Sequence, residues 1–200
     1  MSRVVARDGV HEIEIQRSRF LCSVARVADE AAASAFIAAV RKEHWSASHN
    51  CSAFRTRDVQ RSSDDGEPAG TAGVPMLEVL IRRELTDTAV VVTRYFGGIK
   101  LGAGGLVRAY GRAVSEAIDA VGTVERAWFA TFTIAVDHAD SGRLQNALHA
   151  AGHRIAHVAY EQRVTLIVHV PEPDAFLEWL AGQTGGAATA VPGDPVELDV

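Results

Sequence analysis

Apolar and polar positions alternate along Val10–Gln16 (VHEIEIQ), which predicts a half-buried strand. Phe20–Val27 (FLCSVARV) reads as its partner, with Arg17–Arg19 as the turn. The period then lengthens. Asp29 is placed to cap a helix running to about Glu43, with Ala33, Phe36, Ile37 and Val40 on one stripe. Asn50–Thr56 predicts a third strand. Arg57–Gly73 reads as a polar, glycine-rich loop, and its length marks it as functional or mobile. Pro75 suits the first turn of a short helix ending at Arg83. Thr88–Tyr95 (TAVVVTRY) is a β-branched run, the pattern of a buried central strand. It leads through a loop, Gly97–Gly105, into a helix reaching about Val121. Leu106, Tyr110, Ala113, Ala117 and Val121 form that helix's buried stripe.

Around Gly122–Arg126 the pattern restarts. Trp128–Val136 predicts a strand, and Ser141–Ala151 a helix stopped by Gly152. His153–Tyr160 and Gln162–Val170 predict a hairpin, Pro171–Leu180 a second helix, and Pro195–Asp199 a final short strand. The order βαββαβ is that of a split-βαβ, ferredoxin-like domain. The chain is therefore expected to be α+β, with one domain over 1–123 and another over 124–200.

Composition sharpens this division. The net charge of −5 is unevenly placed. Residues 1–123 carry 16 Lys/Arg against 15 Asp/Glu, whereas 124–200 carry 4 against 10. A generic polycation is excluded, so any polyanion must be met by a local patch. Residues 82–112 supply one: Arg82, Arg83, Arg94, Lys100, Arg108 and Arg112, against Glu84 and Asp87. Cys22 and Cys51 lie in strand-like runs and read as buried free thiols of a reducing compartment. No stretch approaches the ~20 apolar residues that span a bilayer, and the N-terminus lacks a signal-peptide core. A cytoplasmic protein with no membrane contact is expected.

Two constellations carry candidate chemistry. The first is SSDDGEPAGTAG, Ser62–Gly73, with three carboxylates (Asp64, Asp65, Glu67) in four residues and Gly70 and Thr71 following. Such a group binds a hard cation, contacts a ligand, or orders a loop by accepting backbone N–H groups. Its spacing is not that of an EF-hand. The second is Arg94, Tyr95, Phe96, Gly97, Gly98, Lys100, Gly102, Gly104 and Gly105, between a strand and a helix. Glycines there let backbone N–H groups face an anion beside a helix N-terminus, or simply form a tight turn. Neither a P-loop nor GxGxxG is present. Arg108 and Arg112, one turn apart, extend the positive patch. Of Tyr95 and Phe96, strand alternation exposes at most one for stacking on a base. His44 and His49 flank a helix-to-strand junction, but no metal set is completed around them.

QRSRF (Gln16–Phe20), SHNC (Ser48–Cys51), DDGEPAGTAG (Asp64–Gly73) and VVVTRYFGGIKLGAGGLVRAYG (Val90–Gly111) together resemble the YigZ/IMPACT family. The resemblance covers nearly the whole chain. It implies a first domain with the fold of the second domain of small-subunit ribosomal protein five. It implies a ferredoxin-like second domain similar to the last domain of elongation factor G, a factor in which both fold types contact the ribosome. Eukaryotic relatives regulate translation during amino-acid starvation by competing for the activator of a tRNA-sensing kinase.

The leading expectation is a non-catalytic protein that binds RNA or the ribosome and modulates translation, with no cofactor and no bound metal. Arg94, Lys100, Arg108 and Arg112 are the expected phosphate contacts, Tyr95 or Phe96 the stacking ring, and Asp64, Asp65 and Glu67 the brace of the glycine loop. The alternatives are an enzyme acting on a phosphorylated or nucleotide-like small molecule, with a carboxylate holding Mg²⁺, and a module for a protein partner in translation control. The expectation depends on the acidic turn and the glycine loop meeting on one exposed face.

Overall fold

The structure, a computed structural model, describes residues 1–200. It divides into two compact units, Ser2–Glu125 and Arg126–Val200 with Met1.

The first unit is built on an antiparallel sheet. Its strands are β2 (Gly9–Ile15), β3 (Ser18–Arg26), β4 (His49–Arg55), β5 (Gln60–Ser63) and β6 (Thr88–Tyr95), in the order β2-β3-β6-β4-β5. The β-branched run sits at the centre, as its composition predicts. One face is covered by α2 (Gly73–Arg82) and α3 (Gly102–Val121), which enclose Phe20, Val90, Val92, Met76, Tyr110 and Ile118. The other is covered by α1 (Glu30–Glu43), whose Ala33 packs with Val27, Phe54 and Ala89. All five predicted stripe positions of α3 are buried. Asp29 caps α1, accepting the Ala32 N–H at 2.8 Å.

Several boundaries differ from expectation. The β2–β3 turn is two residues, Gln16 and Arg17, both at positive φ, with Ile15 paired to Ser18. That geometry matches the twist of a hairpin. The polar stretch 57–73 is not wholly a loop, because Gln60–Ser63 pairs with β4 as an edge strand. It shows no apolar alternation because it lies at the rim. A short β1 (Ser2–Val5), also unpredicted, is held by Ala6 N–H donating to Gly122 O and by Thr86 N–H donating to Arg3 O. The third helix begins at Gly102, so Gly102, Gly104 and Gly105 belong to its first turn.

β7 (Thr123–Val136) begins in the last residues of the first unit and runs into the second, which also contains α4 (His138–Ala150), β8 (Arg154–Tyr160), β9 (Val164–Val170), α5 (Pro173–Thr184) and β10 (Thr189–Asp199). Its strands run β10-β7-β9-β8, all antiparallel. In chain order this is 4-1-3-2, the split-βαβ arrangement. Strict alternation in β9 buries Val164, Leu166, Val168 and Val170 against Leu148, Phe176 and Leu180. The strands β7 and β10 are longer than predicted. Cys22 and Cys51 are free and buried.

Candidate functional site

The end of β6 sets the geometry. Register places Arg94 between Phe20 of β3 and His49 of β4. Its side chain enters the face covered by α2 and α3 and is buried there. There Nη1 donates to Glu67 Oε1 at 2.7 Å. Tyr110 of α3 donates its hydroxyl to the same oxygen at 2.8 Å. The guanidinium carbon lies 5.4 Å from the Phe20 ring centroid and 5.3 Å from that of Phe96. Arg94 is 5% exposed and Glu67 7%. The two constellations thus meet, and what joins them is a buried ion pair.

This corrects one expectation. Arg94 is committed to Glu67 and two aromatic faces, so it serves as a strut at the groove floor rather than as an exposed phosphate contact. Arg112 is also spoken for: its Nε donates to Glu116 at 2.6 Å. Hydrogen bonds from Arg112 and then His11 hold the Glu116 carboxyl below the usual range.

The acidic turn is ordered by its own backbone. Asp64 accepts N–H groups from Gly70 (2.8 Å), Ala72 (3.0 Å) and Gly73 (2.8 Å). The last two open α2, so Asp64 places its charge where the helix dipole favours it. Burial acts to raise the Asp64 pKa, but the three N–H donors together outweigh it and hold the carboxyl below its ordinary value. Asp65 accepts the Asn50 N–H at 2.6 Å and lies 3.3 Å from Arg41. Its carbonyl accepts His49 Nδ1–H at 2.9 Å. Thr71 closes the turn by donating its hydroxyl to Pro68 O at 2.6 Å. Gly70, at φ +75°, supplies a conformation that a side chain would strain. The three carboxylates have three different sets of partners and do not converge on a common cation position.

In the glycine loop a Cβ at Gly97 would run into the Arg17 carbonyl. Gly97 therefore permits the β2–β3 turn to lie against the loop, and its N–H donates to Ser18 Oγ at 3.2 Å. Gly98 and Gly102 have φ of +88° and +69°, and a Cβ at Gly105 would press on Leu101. At the start of α3, Leu101 offers no side-chain acceptor and the first turn holds no acid. No side chain of the cap or first turn therefore balances the helix's partial positive end.

Above the buried pair lies a cavity of about 470 Å³, lined by His49, Glu67, Arg94, Phe96, Lys100 and Gly102 among others. Glu67 is balanced by Arg94, whereas Lys100 is exposed and has no ion pair. Arg108 is likewise exposed and unpaired, its guanidinium reaching back beside Gly104. The alternation rule is obeyed by the aromatic pair. Tyr95 shares a 2.9 Å hydrogen bond with His44 and lies under the Arg19 guanidinium. Phe96 is 48% exposed at the cavity edge. Ser48, His49 and Tyr110 were not predicted as site residues. The β4–β6 register brings the first two beside Arg94, and Tyr110 reads from sequence only as a core position.

The Impact N-terminal domain family matches residues 16–118, and a second family, a domain of unknown function designated DUF1949, matches residues 134–187. The IMPACT family member YvyE of Bacillus subtilis is 44% identical over 98% of this chain and 92% of its own length. The IMPACT family member YigZ of Escherichia coli is 38% identical over 79% of this chain and 80% of its own. A crystal structure described as that of a hypothetical protein aligns over 96% of this chain and 97% of its own, with 33% identity and a TM-score of 0.62.

Proposed function

The chain belongs to the IMPACT family, and on that premise we propose that it is a non-catalytic RNA- or ribosome-binding protein that modulates translation. The observation that carries this reading is the groove itself. An uncapped helix N-terminus, an unpaired Lys100 and an exposed Phe96 ring line one open cavity whose buried acid is already neutralised. A phosphodiester fits the cation and the helix end, and a base fits the ring. The acidic turn acts as wall and brace. It holds Arg94 rigid under Phe96 and does not compete for the ligand.

The test is RNA and ribosome association measured over a salt series. Affinity should fall steeply with ionic strength. Lys100→Ala and Arg108→Ala should each flatten the logarithmic slope by about 1, and Arg112→Ala, already paired, should leave it unchanged. Phe96→Ala should weaken binding by about 1–3 kcal/mol with little change in slope. Absence of RNA or ribosome association at low salt would end this reading.

A further inference from the structure

A second cavity lies on the opposite side of the same sheet. It has a volume of about 360 Å³ and is formed between α1 and the β4–β5 edge. Pairing of Ser52 with Ser63 and of Phe54 with Arg61 sets these four residues on the face that α1 covers. Ser52 forms part of the lining and is 5% exposed, so its hydroxyl lies at the cavity wall. From α1, Arg41 reaches the same cavity with its Nε buried and unpartnered. Its Nη2 makes only long contacts, 3.3 Å to Asp65 and 3.4 Å to Asn50 O. Arg61, on the edge strand, pairs at 2.7 Å with the partly exposed Glu30. Such solvent-facing pairs are weak.

We propose that this cavity is a binding site for the phosphate group of a small phosphorylated molecule. Two guanidiniums and the hydroxyls of Ser52 and Ser63 offer donors for the three terminal oxygens of a phosphomonoester, a higher donor count than a carboxylate uses. Ile37 and Phe54 supply an apolar wall for a compact body attached to the phosphate. The volume falls within the usual range for small-molecule sites. This site is separate from the groove of Lys100 and Phe96 and does not depend on that groove's function.

The experiment is an amide NMR titration of the full chain with inorganic phosphate, adenosine 5′-monophosphate and, as control, adenosine. Saturable shifts at Ser52, Arg61 and Ser63 are expected with phosphate and, at lower concentration, with the monophosphate, and none with adenosine. Arg61→Ala and Ser52→Ala should each weaken binding roughly tenfold, as expected for losing one hydrogen bond to a charged group. Both positions tolerate truncation, since Arg61 is exposed and Ser52→Ala removes a single oxygen. Lys100→Ala should change nothing. The proposal is overturned if millimolar phosphate gives no saturable shift at these residues. It is equally overturned if binding survives Arg61→Ala but is lost in Lys100→Ala, which would assign the phosphate to the other groove. Tighter binding of adenosine than of its monophosphate would also defeat it.

Discussion

In the first unit charge lies inside the fold: Glu67, Arg94 and Asp87 are buried, with Asn50 and Thr93 beside them. In the second, the sheet packs its helices through Phe132, Ile134, Leu166, Val168 and Phe176, and the buried polar residue there is Ser141. Both units are α+β and both bury one or two faces of an antiparallel sheet. An apolar core is the more economical way to stabilise such a sheet, because a buried ion pair loses much of its attraction to desolvation. The first unit keeps its pair directly beneath an open cavity. There the pair fixes the position of Phe96, of the acidic turn and of the start of α2 together. The difference teaches that the buried Arg94–Glu67 ion pair of the first unit lies at the candidate site, whereas the second unit has an apolar core.

The comparison is broken most severely at Glu67. Glu67→Ala strands Arg94 as an uncompensated buried charge and should cost the first unit about 3–5 kcal/mol in denaturant unfolding. Replacing both partners, Glu67→Leu with Arg94→Met, should recover most of that stability while reducing RNA association. A double variant as unstable as the single one would show that the pair is not what matters. In the second unit the corresponding wound is a cavity. Leu166→Ala should cost about 2–5 kcal/mol there and leave RNA association intact. Asp64→Ala, which leaves two N–H groups at the head of α2 and that of Gly70 without their acceptor, should cost about 2 kcal/mol, again read in the unfolding of the first unit.

Acid sharpens the contrast with smaller effects. Burial lowers the pKa of His153, which packs against Phe176 and Trp179, below the ordinary 6.5. Burial, and then the nearby Arg154, do the same for His169. A histidine depressed in the folded state favours folding above its unfolded pKa. That contribution is lost as pH falls below about 6.5 and through the folded value. The Asp64 carboxyl is depressed instead from 3.8, so its contribution persists until pH falls below that ordinary value. On acidification the second unit should weaken first. Trp179 fluorescence against amide exchange at Asn50 and Thr93 would follow the two units separately, and simultaneous loss at mildly acid pH would contradict the assignment.

Much of the fold was legible from local spacing. Local signals mark β2, β3, β4, β6 and all five helices: alternation in β2, apolar stripes in α1 and α3, and prolines or a stopping glycine at the ends of α2, α4 and α5, because each acts over only a few residues. Asp29 was recognisable as a cap for the same local reason. The short β1 and β5 were not, since neither carries an apolar pattern. The site was only half legible. The spacing leaves the loop glycines open between facing an anion and forming a tight turn; Gly97 lies against the Arg17 carbonyl, and of Tyr95 and Phe96 it is Phe96 that is exposed.

The sequence by itself determined which residues bear charge, which segments form strands and helices, and that a second pattern begins near residue 124. It did not determine which charges are free. Arg94 and Arg108 look alike along the chain, yet one is buried against Glu67 and the other reaches solvent. Only the β3–β6–β4 register and the return of the acidic turn could decide this. The availability of a cation depends on whether a carboxylate and a low-dielectric wall arrive from elsewhere in the chain, and no local period encodes that arrival.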